Sequence, residues 1–189
     1  MSKDIHPMTL ERHRSRYGAL VHAVAAIWLV ALAAPAQAQG TRAVREKRSQ
    51  AEVATVRGTL EVYRLDFEDG GHTNQLSLAG KVLFEEPAYE SLSITASYPE
   101  PGPARVVLLE LSSGGTGCPS FYKVIELKDD GSAVRSKKFG NCSPLAQPSF
   151  TDGALLINIP KIGGAAAQSW RYQNGKLSKA APPPRPRGK

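Results

Sequence analysis

The sequence predicts an all-β protein, in which residues 58–178 form one antiparallel β-sandwich, open barrel or meander. Short runs of β-branched, aromatic and aliphatic residues recur every 8 to 15 residues, with glycine, proline, asparagine or aspartate between them. One run, Ser91–Tyr98, alternates strictly between apolar and polar side chains, as a half-buried antiparallel strand does. The domain has no convincing amphipathic helix, so mixed α/β classes are disfavoured.

The expected strands cover 59–67, 76–84, 91–98, 105–111, 121–127, 133–139, 154–159 and 169–172. Turns are expected at Asp69-Gly70-Gly71, Asp129-Asp130-Gly131 and Asp152-Gly153, and a last hairpin at Asn174-Gly175. The run 76–84 is expected to be broken at Ala79-Gly80 by a turn or a bulge. Glycine favours tight hairpin turns there because it adopts positive φ without steric cost. A loop is expected where Pro144 and Pro148 interrupt the pattern.

Two strands carry more specific expectations. In Ser91–Tyr98 the apolar side chains Leu92, Ile94, Ala96 and Tyr98 should all face inward. Residues 105–111 are apolar on both faces, so this strand should lie centrally. A meander and a Greek key share these signals, and propeller-like blades are a further alternative for which the sequence shows no fixed repeat.

Residues 1–38 have the features of a secretory signal peptide. Arg12, Arg14 and Arg16 precede an apolar run of 12 residues over 23–34, and Ala36-Gln37-Ala38 supplies a cleavage site. The run is shorter than the roughly 20 residues that span a bilayer, which argues against a membrane anchor. The sequence predicts cleavage after Ala38 and a periplasmic or secreted protein, with translation starting at either Met1 or Met8.

The positive charge is concentrated outside the predicted domain. The net charge is +7, yet residues 58–175 hold 10 basic and 13 acidic residues. We expect 39–57 to be a basic flexible lead and 179–189 a disordered tail rich in proline and basic residues. Because a nucleic-acid-binding domain needs its basic residues on the folded surface, this distribution argues against a nucleic-acid partner.

The two cysteines, Cys118 and Cys142, are the only ones in the chain. In an oxidising compartment such a pair is expected to form a disulfide. A catalytic redox pair usually has Cys-x-x-Cys spacing, which is missing here. The predicted bond closes a loop of about 25 residues and restrains the segment that follows the strand at 105–111.

The loop 112–118 is the candidate binding site. It places Ser113, Gly114, Gly115, Thr116 and Gly117 between two predicted strands and ends at the predicted disulfide. Small residues allow the close approach of a partner, and a restrained loop loses less entropy on binding. The alternative is a hairpin connection in which the glycines serve only the backbone geometry.

A small exported β domain with a protruding serine- and glycine-rich loop resembles the bacterial periplasmic lysozyme inhibitors, which present such a loop to the cleft of the enzyme. This resemblance implies an inhibitor of a wall-degrading enzyme. No family motif matches residue by residue, so no site residue is transferred from it. The broader expectation is a non-enzymatic binding protein of the cell envelope, with an envelope protein or a carbohydrate as its partner.

The sequence offers little for catalysis or for metal binding. His72 is the only histidine after residue 38, and no Gly-x-Ser-x-Gly motif accompanies it. The acidic cluster Asp66, Glu68 and Asp69 lacks the spacing of an EF-hand, so neither a metal nor a cofactor is expected. The alternative function is a carboxylate-dependent hydrolase of envelope carbohydrate, which would use that cluster or a pair drawn from Glu85, Glu86 and Glu90.

Overall fold

The structure is a computed structural model that describes residues 42–181. Within that range all regular structure is β, and thirteen strands form three antiparallel sheets. The all-β prediction is confirmed. In this range the strands form no closed barrel. They divide into three antiparallel sheets rather than the two of a sandwich, and consecutive strands are neighbours in all but one case. Of the predicted alternatives, the meander describes this strand order best.

The first sheet contains four consecutive strands: β1 (Val44–Thr55), β2 (Gly58–Phe67), β3 (His72–Leu78) and β4 (Lys81–Glu86). The middle sheet contains five: β5 (Ser91–Tyr98), β6 (Val106–Ser112), β7 (Ser120–Leu127), β8 (Ala133–Arg135) and β9 (Phe139–Cys142). The third sheet again contains four: β10 (Gln147–Thr151), β11 (Ala154–Ile159), β12 (Gln168–Gln173) and β13 (Lys176–Lys179). In the middle sheet, β7 pairs with β6 on one side and with both β8 and β9 on the other.

The middle sheet is buried on both faces. Val107, Leu109 and Leu111 of β6 pack into a core shared with the first sheet. Val106 and Leu108 pack into a second core, which is shared with the third sheet. These five side chains alternate in direction, as successive residues of a strand must, and each direction meets a different sheet. The predicted central position of this strand is therefore confirmed.

The inward set predicted for β5 is only half right. Leu92 and Ile94 pack against the first core, whereas Ala96 and Tyr98 pack against the second. The pairing of β5 with β6 shifts register between Ile94 and Ala96. A β-bulge inserts one extra residue and reverses the direction of the side chains that follow it, which the alternating pattern alone cannot reveal.

The lead 39–57, predicted to be flexible, contains the longest strand of the described chain. β1 pairs with β2 along its whole length, from Val44 to Thr55. Its first half is exposed, and its charged side chains find partners on β2: the Lys47 ammonium lies 3.7 Å from the centre of the Tyr63 ring. In the second half, Ala51 and Val53 pack against the first core. The folded domain therefore begins before residue 58.

Three further details differ from prediction. The expected strand over 133–139 is divided into β8 and β9, and Pro148 lies within the edge strand β10, where its missing N–H costs least. β13 extends to Lys179, and the Ala180 N–H donates to the Ser169 carbonyl at 2.8 Å, so the ordered chain enters the predicted tail. The predicted signal peptide (1–38) and residues 182–189 lie outside the described residues.

Candidate functional site

The predicted disulfide is present. Cys118 lies just before β7 and Cys142 ends β9; the two are bonded, with their Cα atoms 4.5 Å apart. Ser120 and Cys142 are also register partners in the β7–β9 pairing. The bond therefore fastens the exit of the loop 112–118 to a strand of the middle sheet.

The loop 112–118 is exposed from Ser113 to Gly117 and makes several internal hydrogen bonds. The Ser113 hydroxyl donates to the Cys118 carbonyl at 2.8 Å, and the Ser113 N–H donates to the Pro119 carbonyl at 2.9 Å. The Gly115 N–H donates in turn to the Ser113 hydroxyl, at 3.3 Å. Ser113 therefore holds both ends of the loop together and leaves its tip, 114–117, open to solvent.

A second loop of small residues faces this one across the disulfide. It connects β11 to β12 and includes Gly163 and Gly164. The Asn141 side-chain amide, which is buried, donates to the carbonyls of Pro160 and Ala166 at 3.0 and 2.7 Å and so fixes both ends of this second loop. No local feature of the sequence indicates this role for Asn141, because its partners are distant in the chain.

A shallow cleft of about 220 Å³ lies between the two loops. Its lining is small and uncharged: Thr116, Gly117, Pro119, Asn141, Cys142, Ile162, Gly163, Gly164 and Ala165. No carboxylate, imidazole or ammonium group lines it. We call this surface the two-loop site. It offers shape and backbone polar groups rather than a reactive side chain, so the arrangement suits contact with another molecule.

The carboxylates of the predicted acidic cluster do not converge. Asp66 is buried and accepts hydrogen bonds from Arg48 at 2.5 Å and from Arg64 at 2.9 Å, whereas Asp69 forms an ion pair with Arg42 at 2.6 Å. The bonds from Arg48 and Arg64 lower the pKa of Asp66 to about 2, and the bond from Arg42 lowers the pKa of Asp69. Glu68 is exposed. A general acid near neutral pH needs a raised pKa, so this cluster is better suited to holding β1 against β2.

Asp66→Asn should lower the melting temperature at pH 7 and should lower it much less at pH 2. The pKa of Asp66 falls on folding from 3.8 to about 2, so its stabilising effect is complete above pH 4 and is lost as the pH falls towards 2. Thermal melts of both proteins from pH 2 to pH 7 measure this difference. Glu68→Gln, at an exposed position, is the matched control and should change little at any pH. A melting difference that does not vary with pH would contradict the assigned role of Asp66.

The other candidate catalytic groups are also bonded to residues that would not take part in catalysis. Glu86 contacts the Lys123 ammonium, whereas Glu85 accepts from the Gln75 amide at 3.1 Å and Glu90 pairs with Arg64 at 2.8 Å. The His72 Nε2 atom lies 3.1 Å from the Tyr89 carbonyl oxygen. No hydrogen bond joins His72 to a serine or threonine between residues 42 and 181, so the base and nucleophile of a hydrolytic triad are not brought together there.

Residues 42–181 contain no group of three or more histidine, cysteine, aspartate or glutamate side chains arranged to hold a metal ion. The same range contains no helix that is long and apolar enough to cross a membrane.

Comparison with known proteins gives no relative: the chain matches no protein family, no curated protein and no solved structure. The function therefore has to be argued from the residues of this chain itself.

Proposed function

We propose that this chain is an exported, non-enzymatic binding protein of the cell envelope, and that its partner is another protein, which contacts the two-loop site. The observation that carries the proposal is that two exposed glycine-containing loops lie side by side and are both fixed at their ends. The Cys118–Cys142 bond fixes the exit of one loop, and Asn141 fixes both ends of the other. A surface fixed before binding loses little conformational entropy when a partner docks.

The chemistry of the two-loop site favours a protein over a carbohydrate partner. Sugar rings are usually held by aromatic faces and by charged or amide side chains. The two-loop site has no aromatic or charged residue, and its one side-chain amide, Asn141, already donates to the carbonyls of Pro160 and Ala166. Small side chains leave backbone N–H and C=O groups accessible, and these can pair with the backbone of another protein. A projecting loop tip also fits a concave partner surface, such as the substrate cleft of a wall-degrading enzyme.

Export is supported by the sequence features of residues 1–38 and by the disulfide, which persists in oxidising compartments. The non-enzymatic part of the proposal is supported by the carboxylates, because those of the acidic cluster are ionised partners of arginine or exposed to solvent.

The exported protein should begin at Gln39. Intact-mass spectrometry of the exported protein measures this, and a retained N-terminus would contradict cleavage after Ala38.

Gly117→Arg and Gly164→Arg, made separately, should each weaken partner binding by roughly tenfold or more, because either side chain would fill the space between the loops. A Cβ atom at either position would meet no atom within 4 Å, and neither glycine has a positive φ, so both variants should fold normally. Thr59→Arg, at an exposed position on β2, is the control with the same added charge. The measurement is capture of envelope proteins by immobilised wild type and each variant, with equal thermal melts as the test of folding.

The expected result is a captured protein that the wild type and Thr59→Arg retain and that both loop variants lose. Direct titration of that protein, once purified, then gives the change in Kd. Recovery of no partner, or equal capture by both loop variants, would contradict the two-loop site. Wall polysaccharide retained by the wild type and lost by the loop variants would replace the protein partner with a carbohydrate.

A further inference from the structure

Two adjoining clefts on another part of the surface are lined by basic side chains. The first, of about 460 Å³, lies between β4 and β8 and includes Arg57, Lys81 and Arg135 in its lining. The second, of about 400 Å³, lies between the β8–β9 segment and β12–β13 and is lined by Arg135, Lys137, Lys138 and Lys176. Arg135 belongs to both clefts. We call the pair the basic double cleft; it shares no lining residue with the two-loop site.

No ion pair within residues 42–181 neutralises the charge of the basic double cleft. All six basic residues are exposed, none of them forms an ion pair within residues 42–181, and no acidic residue lines either cleft. Two neighbouring carboxylates, Asp129 and Asp130, lie close enough to attract Arg57 electrostatically, but neither forms an ion pair with it. Glu126 pairs with Lys128 and accepts from the Tyr172 hydroxyl, and Asp129 pairs with Arg105. Like charges gathered on a concave surface focus a positive potential that attracts anions.

The composition does not predict this concentration of positive charge, because the region 58–175 as a whole has more acidic than basic residues. Seven acidic residues of the described chain form ion pairs, and none of these pairs involves the six basic residues of the two clefts. A local signal was available: Arg135, Lys137 and Lys138 follow one another closely, and no acidic residue occurs between Asp130 and Asp152.

An aromatic wall distinguishes the second cleft from a simple basic patch. Trp170 and Phe139 line it, with ring centroids 5.2 Å apart, and Trp170 is only partly buried. The Trp170 indole N–H donates to the Gln168 side chain at 3.0 Å, which fixes the orientation of the ring. A flat apolar ring can stack on the C–H face of a sugar while nearby cations pair with its acidic groups. A small inorganic anion would gain nothing from this wall.

We propose that the basic double cleft binds an anionic polysaccharide, with a sugar residue stacked on Trp170 and its acidic groups paired with Lys137, Lys176 and Arg135. The two clefts meet at Arg135 and together offer more room than one sugar residue needs, which suits a polymer that carries charge at regular intervals. This site goes beyond the proposed protein-binding function and does not depend on it.

The test uses the protein purified from the periplasm and a carboxylated polysaccharide, alginate oligosaccharide, titrated while tryptophan fluorescence is recorded. Trp170 is the only tryptophan beyond residue 28, so it reports directly on the second cleft. We expect saturable binding that weakens as salt is raised, because exposed charge pairs are screened. Trp170→Phe should abolish the fluorescence change.

Lys137→Glu combined with Lys176→Glu should weaken binding by roughly tenfold or more, since two exposed charge contacts become repulsive. Arg45→Glu combined with Lys161→Glu changes the net charge equally, at exposed positions that line neither cleft, and should retain binding within about twofold. Neutral dextran should not bind. Gly117→Arg should bind alginate normally, which separates failure of this inference from failure of the proposed protein-binding function.

Three results would overturn the inference. One is the absence of alginate binding at low salt, and the second is an equal loss of affinity in the two charge-reversed pairs, which would reduce the effect to net charge. The third is markedly tighter binding of single-stranded DNA or polyphosphate with the same dependence on Lys137 and Lys176, because this would assign the cleft to a phosphate polymer instead of a glycan.

Discussion

Replacing Leu108 by alanine and, in a separate variant, Leu109 by alanine should lower the free energy of unfolding by similar amounts, about 2–5 kcal/mol each. Both side chains are fully buried, although they are neighbours on one strand and point in opposite directions. Leu109 packs between the first and middle sheets, whereas Leu108 packs between the middle and third sheets. The cost in each variant is the lost burial of methyl groups together with the cavity that remains.

Urea unfolding of the wild type and the two variants measures these costs. Leu145→Ala provides a matched control, because Leu145 is 62% exposed and its truncation should change the free energy of unfolding by less than about 0.5 kcal/mol. The pair of variants also tests the architecture. In a two-sheet sandwich one of the two adjacent leucines would face solvent, so a negligible cost at either position would contradict the three-layer arrangement.

Replacing Cys118 and Cys142 together by alanine should lower the free energy of unfolding by about 3 kcal/mol, chiefly because the unfolded chain regains the entropy of an open loop. The closed segment includes β7, β8 and β9, so the bond restrains much of the middle sheet. It also fixes the exit of the loop 112–118. We therefore expect the double variant to bind its partner at the two-loop site more weakly than the wild type.

Reduction of the wild type should reproduce the loss of stability, whereas the double variant should be insensitive to reductant. A further variant sharpens the result. Cys142 has a φ of +72°, a conformation that favours glycine, so Cys118→Ala with Cys142→Gly should be about 1 kcal/mol more stable than the alanine pair. Free thiols in the exported wild type, detected by peptide mapping without reductant, would contradict the disulfide itself.

The features that could be predicted from sequence depend on residues close together in the chain, or have very few possible arrangements. Asp152-Gly153 and Asn174-Gly175 form turns as expected, because positive φ is required there and these residue types tolerate it. The apolar run of β6 indicated burial on both faces without any knowledge of what covers them. The disulfide could be predicted because two cysteines allow only one pairing within the chain.

The features that escaped prediction depend on partners distant in the chain. β1 looks too polar for a strand until Asp66 and Tyr63 on β2 supply contacts for its charged residues. The bulge in β5 is decided by register against β6, and Asn141 matters only because the fold brings Pro160 and Ala166 to it. The basic double cleft likewise gathers residues from Arg57 to Lys176.

The residues alone therefore predict the strand class, most of the turns, the disulfide and the exposed loop 112–118. Backbone preference and the period of two act over a few residues, so they can be recognised in a single chain. The folded chain was needed to show that three sheets stack, that a second loop faces the first, and that dispersed basic residues line common clefts. Those outcomes follow from packing and charge contacts between distant segments, whose free energies do not appear in any local pattern.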